Sequence, residues 1–284
     1  MTHSTAARDA STRSPFAGCA ILIAAVAVMV FLIGFSVLTL FRQFHEIAKF
    51  TAEKPVPIEV TSLENQQPAL QQLATRLDAF RQQLSTDQET SLALSAEDLN
   101  LAIAHYETLH ELRGTFRVIR IEKETLRIAI SFPLNGKPRL ARTEEPGWVA
   151  SDSRFLNGTL VARPSLLKHE VVLSLDTIEV PGKKVAPEFI DQMSPYRLTE
   201  RYLVDPILGP AMAKFTRVSV ADGKIIFSRK PNETPVDTIS DAQVDSASGR
   251  LFSALGLAAL AFLAFAGIIV LLGARAKARK SENL

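Results

Sequence analysis

The chain has one cysteine in 284 residues, Cys19, and it lies inside an apolar run. No intrachain disulfide can form, and a thiol nucleophile is excluded everywhere beyond that run. Glycine-rich phosphate loops, dinucleotide fingerprints and the Gly-x-Ser-x-Gly elbow are all missing, which removes the common nucleotide-binding and hydrolase signatures. A concentrated basic stretch is missing too. Between Arg42 and Arg250 lie 26 of the 32 basic residues and 28 of the 30 acidic ones, a net charge of −2. Phosphate backbones need a basic face, so no nucleic-acid partner is expected.

What the chain does have is charge-free length. Ser14 to Phe41 is a run of 28 residues without a charge, and Leu251 to Ala274 a second of 24. About 20 helical residues cross a hydrocarbon core of about 30 Å, so both runs predict transmembrane helices and the lipid bilayer is an expected partner. A signal-peptide apolar region is only about 7–15 residues and ends in a small-residue cleavage site. Neither holds here, and Phe16-Ala17-Gly18-Cys19 precedes the apolar stretch, where a lipoprotein processing site would follow it. A retained anchor is expected.

Basic residues stay on the cytoplasmic side of a span. Arg275, Lys277, Arg279 and Lys280 follow the second run, whereas Asp237, Asp241 and Asp245 precede it with Arg250. Both termini are therefore expected in the cytoplasm and the central part outside, at a cell (inner or plasma) membrane. The predicted division is a cytoplasmic tail 1–13, a span 14–41, a linker 42–60, an extracytoplasmic domain 61–230, a linker 231–250, a span 251–274 and a basic cytoplasmic tail 275–284. Lys54-Pro55-Val56-Pro57 makes the first linker extended, because two prolines break a helix.

Within the domain, Leu70, Leu73, Leu77, Phe80 and Leu84 repeat at 3-4-3-4 and line one helix face. The spacing also fits a dimer seam, but two heptads fall short of the three to four a coiled coil needs. Ser95-Ala96-Glu97-Asp98 starts a second helix with a serine and an acid three residues on; Leu99, Ile103, Tyr106 and Leu109 form its stripe and Gly114 stops it. After Gly114 the period becomes two. Phe116–Ile121 with Leu126–Phe132, Phe155–Val161 with Val171–Val180, and Phe215–Val220 with Lys224–Ser228 read as three hairpins. The second is expected to turn around Pro164, and an extra residue near Asp176-Thr177 to make a β-bulge; the third turns at Asp222-Gly223. Ala186–Lys214 is expected to hold two short helices. The fold class is α+β, amphipathic helices on a curved antiparallel sheet of about six strands.

Chemistry-bearing residues are sparse. His105 and His110 lie about 140° apart on a helix and share no face, so Glu107 and Glu111 complete no metal site. Ser165-Leu166-Leu167-Lys168 has the serine–lysine spacing of penicillin-recognising enzymes but lacks their downstream elements and is expected to be a turn. Glu144-Glu145 sits in the loop Pro138–Trp148 and is expected to be solvated, with Trp148 a core anchor at the start of a strand. Asn157-Gly158-Thr159 and Asn232-Glu233-Thr234 fit the glycan acceptor pattern. No catalytic, cofactor-binding or metal residue is assigned.

Leu94-Ser95-Ala96-Glu97-Asp98-Leu99-Asn100, the paired strands after it and Val218-Ser219-Val220-Ala221-Asp222-Gly223-Lys224-Ile225 resemble the YpmS-like membrane-anchored proteins of bacterial envelopes. The resemblance spans residues 90–230, rests on a helix cap and a hairpin turn, and implies a bent antiparallel sheet, an extracytoplasmic compartment and at most an apolar-ligand groove. It carries no catalytic residue across, and this chain departs from it by a second span. The expected function is non-catalytic: a double-anchored envelope protein whose domain binds a lipid-like ligand or an envelope membrane protein. The alternative is a scaffold assembling through its spans, since Ala254 and Ala258 give the second a small-xxx-small face. An enzyme of unrecognised chemistry would need polar residues converging in a pocket.

Overall fold

In the computed structural model the described residues are 15–235 without Asp87, together with Gly256, Leu257, Ala259, Leu260, Ala261, Leu263, Ala264 and Gly267. They fall into two compact units, one within residues 1–42 and 248–284 and the other within 43–247.

The first unit is apolar helix. Helix α1 runs Pro15–Phe50. Among the described residues one helix is long and apolar enough to cross a membrane: Ala25–Phe50, 26 residues, whose most apolar 18-residue stretch has a mean hydropathy of 2.2. At about 1.5 Å per residue it is about 39 Å long. Leu22, Ile23, Val26, Val30 and Leu38 are all exposed, which suits a surface meant for lipid rather than for protein packing. The described residues of the second apolar run are helical. Most of that predicted span, with Ala254, Ala258 and the basic tail, lies outside the described residues.

The second unit is α+β, built from seven strands in two antiparallel sheets rather than about six in one. One sheet has the order β2-β3-β4-β5, with β2 Phe116–Glu122, β3 Thr125–Leu140, β4 Val149–Leu167 and β5 Glu170–Glu179. The other has the order β1-β7-β6, with β1 Thr90–Leu94, β6 Arg217–Ala221 and β7 Lys224–Arg229. Strand β1 is the one the sequence reading missed. Its buried Thr90, Leu92 and Leu94 alternate with Ser91 and Ala93, but over only five residues.

Helices fill the apolar faces. Helix α2 (Gln67–Ser85) buries Leu70, Leu73, Phe80 and Leu84 in a cluster with Leu92, Leu94, Phe215, Val218 and Ile225, so its apolar face is spent on its own domain. Helix α3 (Ala96–His105) begins with a full capping box. The Ser95 hydroxyl accepts from the Asp98 N–H at 3.1 Å, and the Asp98 carboxylate accepts from the Ser95 N–H at 3.0 Å. The α-helix ends at His105, so Tyr106 is an extended cap and Leu109 falls in a 3-10 segment. Gly114 then takes φ +74°. A second cluster joins α3 to the four-stranded sheet through Phe50, Ile103, Ile128, Ile130, Leu156 and Leu160.

The predicted linker 42–60 is helical to Phe50 and holds Phe50 and Thr51 fully buried. Phe50 packs on Phe189 of α4 (Pro187–Met193), ring centroids 4.8 Å apart. Ala52 pairs with Phe155, and the extended stretch beyond is fastened by Asn157: its side chain accepts from Val56 N–H and Ser131 Oγ and donates to Lys54 O. A glycan-pattern asparagine is here an internal clamp.

All three hairpins form. The last turns at Asp222-Gly223, both with positive φ as such tight turns require. The bulge lies where the phase change predicted it: Val161 faces Thr177 while Ala162 faces Leu175, which leaves Asp176 as the extra residue. The second hairpin turns at Lys168-His169, φ 47° and 66°, not at Pro164. Pro164 sits inside β4 because β3 begins at Thr125 and its pairing with β4 starts only at Ala162. Beyond that point β4 is an edge on that side, where a missing N–H does no harm. Between β5 and β6 lie α4, a 3-10 turn at Glu200–Tyr202 and helix α5 (Leu208–Met212).

Candidate functional site

Two places in the second unit have features that folding does not require. The first is the far end of the β3–β4 hairpin. Strand β2 follows β3 only to Ile130, and β5 follows β4 only from Thr159. The two strands nevertheless stay paired out to Leu140 and Val149, as a two-stranded ribbon. At its end Leu140 is 81% exposed and Trp148 88% exposed, and Ala141 N–H donates to Trp148 O at 3.1 Å. The predicted core anchor is therefore the most exposed aromatic of the described domain. It precedes β4, at the end of the ribbon where neither β2 nor β5 runs alongside.

Charges hold this end in shape. The Arg139 guanidinium donates to both oxygens of Glu145, at 2.6 and 2.5 Å, and through Nε to Asp152 at 3.0 Å. Arg142 N–H adds a bond to Glu145 at 2.8 Å. These donors, the Arg139 guanidinium first, lower the Glu145 pKa to about 2. Gly136 is required where the ribbon register shifts, because a Cβ there would sit 2.7 Å from Asp152 O. Of the paired acids in the loop, Glu145 is a structural clasp and Glu144 is exposed.

The second place is a cleft of about 550 Å³ where β4 has lost β3 and faces the edge strand β6. Arg163, Pro164 and Ser165 of β4, Ser174 and Leu175 of β5, Ser194 and Pro195, and Ser219 and Val220 of β6 line it, with Glu124 at its mouth. Ser165 Oγ and Ser174 Oγ are 3.3 Å apart, and Ser194 Oγ accepts from Leu175 N–H at 3.0 Å. Arg163 donates to Asp176, the bulge residue, at 2.8 and 3.2 Å. Of these, Ser165 alone stands in a sequence pattern with catalytic precedent, its spacing to Lys168, and Lys168 stands in the hairpin turn. The lining is gathered from β4, β5, β6, the β2–β3 turn and the segment after α4, so no single motif could have announced it.

The remaining chemistry-bearing residues are held in surface pairs. Glu107 pairs with Arg113 at 3.2 Å, Glu111 with Arg201, and His110 Nδ1 lies 2.8 Å from Glu107 O. Among the described residues no three of His, Cys, Asp and Glu gather as a metal site would require. No family model matches the chain, and neither does any curated protein or solved structure.

Proposed function

We propose that the protein is a non-catalytic, double-anchored membrane protein of a bacterial envelope, and that its extracytoplasmic domain docks an envelope membrane protein through the end of the β3–β4 ribbon. Both apolar runs span the membrane in this reading, with both termini in the cytoplasm, as the basic residues after the second run favour. The resemblance to YpmS-like proteins fits the same compartment.

The observation that carries the docking is Trp148, 88% exposed at the end of a ribbon kept in shape by an arginine clasp. An ordered, solvated tryptophan leaves a large apolar area in water, and tryptophan and arginine dominate the energetic centres of protein interfaces. A protein partner is favoured over a lipid-like ligand inside the domain because the apolar sheet face is already filled by Phe50, α3 and α4. A photo-cross-linking residue at position 148 of the full chain, in intact membranes, is expected to give one defined protein adduct, with position 222 as control. Adducts confined to lipid, or equal labelling from both positions, would overturn the docking.

A further inference from the structure

We propose that the cleft between β4, β5 and β6 is a binding site for a small neutral sugar. Its volume of about 550 Å³ falls within the range of about 300–1,000 Å³ usual for small-molecule sites. Its chemistry narrows the occupant. Four serines line it, Ser165, Ser174, Ser194 and Ser219, and each hydroxyl can both donate and accept. Ser194 Oγ already accepts from Leu175 N–H, and its own proton can still donate to a ligand. Ser165 and Ser174 share one hydrogen bond, which leaves one of their two protons for a ligand.

The charges argue against ions. Arg163 is matched by Asp176, and Glu124 at the mouth adds a second carboxylate, so the neighbourhood is net negative and disfavours phosphates and carboxylates. An alkyl chain would leave the serine hydroxyls unpaired on burial. A pyranose meets both halves of the lining: its hydroxyl rim suits the serines, Glu124 and the outer edge of Arg163, and its C–H face suits Pro164, Pro195, Leu175 and Val220. The cleft exists because Pro164 and the late start of β3 leave β4 uncovered there, so it is built into the hairpin register.

The test uses the full chain in nanodiscs of deuterated lipid, free of sugar detergents. Saturation-transfer NMR with glucose and N-acetylglucosamine is expected to show ring-proton signals for at least one of them. Ser219→Leu, which fills the β6 wall, is expected to cut that signal at least tenfold, and Glu124→Gln at the solvated mouth about two- to fivefold. An unchanged melting curve separates these effects from misfolding. No signal from either sugar, or equal signals from wild type and both variants, overturns the proposal. So does competition by inorganic phosphate at equal concentration, which would mark an anion site. Trp148→Ala is expected to leave sugar binding untouched, so failure here leaves the ribbon docking standing, and the reverse.

Discussion

The two halves of the β3–β4 hairpin share two continuous strands, with one register shift after Asn135, yet live in different physics. In the near half, Leu126, Ile128 and Ile130 face Ala162, Leu160 and Gly158, flanked by β2 and β5 and covered by α3, and these leucines and isoleucines are at most 3% exposed. In the far half the strands have no sheet neighbour past Phe155, and the apolar residues Leu140 and Trp148 lie in water. The near half is held by burial at roughly 25 cal/mol per Å² of apolar surface. The far half is held by ladder bonds and by the Arg139–Glu145–Asp152 cluster, which contribute little net stability at an exposed site. A two-stranded ribbon is marginal alone, and the proposed docking would give its exposed end a partner.

The comparison is tested hardest by matched truncations. Leu160→Ala in the near half is expected to cost about 2–5 kcal/mol, because the surrounding core cannot close over the lost atoms. Leu140→Ala in the far half is expected within about 0.5 kcal/mol of wild type. Denaturant unfolding of the full chain measures both. Equal losses would mean that the ribbon end is packed in solution, and the docking surface would disappear with it.

A smaller effect is expected at the α3 cap, on the helix that covers the near half. Ser95→Ala removes one half of the capping box and is expected to cost about 1 kcal/mol. Its partner gives a pH signature. Burial alone would raise the Asp98 pKa, but the hydrogen bonds from Arg76 and from Ser95 N–H outweigh it and leave the value below the usual 3.8. A carboxylate depressed in the folded state contributes its full stability above the unfolded pKa and loses it as pH falls through the folded one. Stability is therefore expected to fall below about pH 4, and to fall less steeply in Asp98→Asn. Parallel acid profiles for the two proteins would remove Asp98 from the account.

What the sequence made legible was local. The capping box, the Asp222-Gly223 turn and the bulge at Asp176 each follow from a few adjacent residues whose backbone needs leave a pattern. The division into two sheets did not, because β1 and β7 are more than a hundred residues apart and meet only where their apolar residues share a cluster with α2. Pro164 misled because a proline inside a strand reads as a turn until the start of its neighbour is known. Trp148 misled for a related reason: large and apolar at a strand start means core only if something covers that strand. The cleft was invisible altogether, since Glu124, Arg163, Ser174, Ser194 and Ser219 meet only after both sheets exist.

The smallest expected effect is the most pointed one. Glu145 is fastened by Arg139 and by Arg142 N–H, and its pKa falls from 4.5 to about 2. The sign is that of a depressed carboxylate: the clasp is complete above pH 4.5 and opens as pH falls through about 2. Because the clasp lies on the exposed half, Glu145→Gln is expected to leave global unfolding unchanged while it speeds amide exchange across residues 139–152 only. Hydrogen-exchange mass spectrometry at pH 7 resolves that stretch from the buried strands beside it. Exchange that quickens at Leu160 as well would show the two halves to be one cooperative unit, and the ribbon end would then be part of the core's support. Exchange confined to the ribbon, together with weaker cross-linking from position 148, would show that the clasp serves the docking of Trp148 and not the fold.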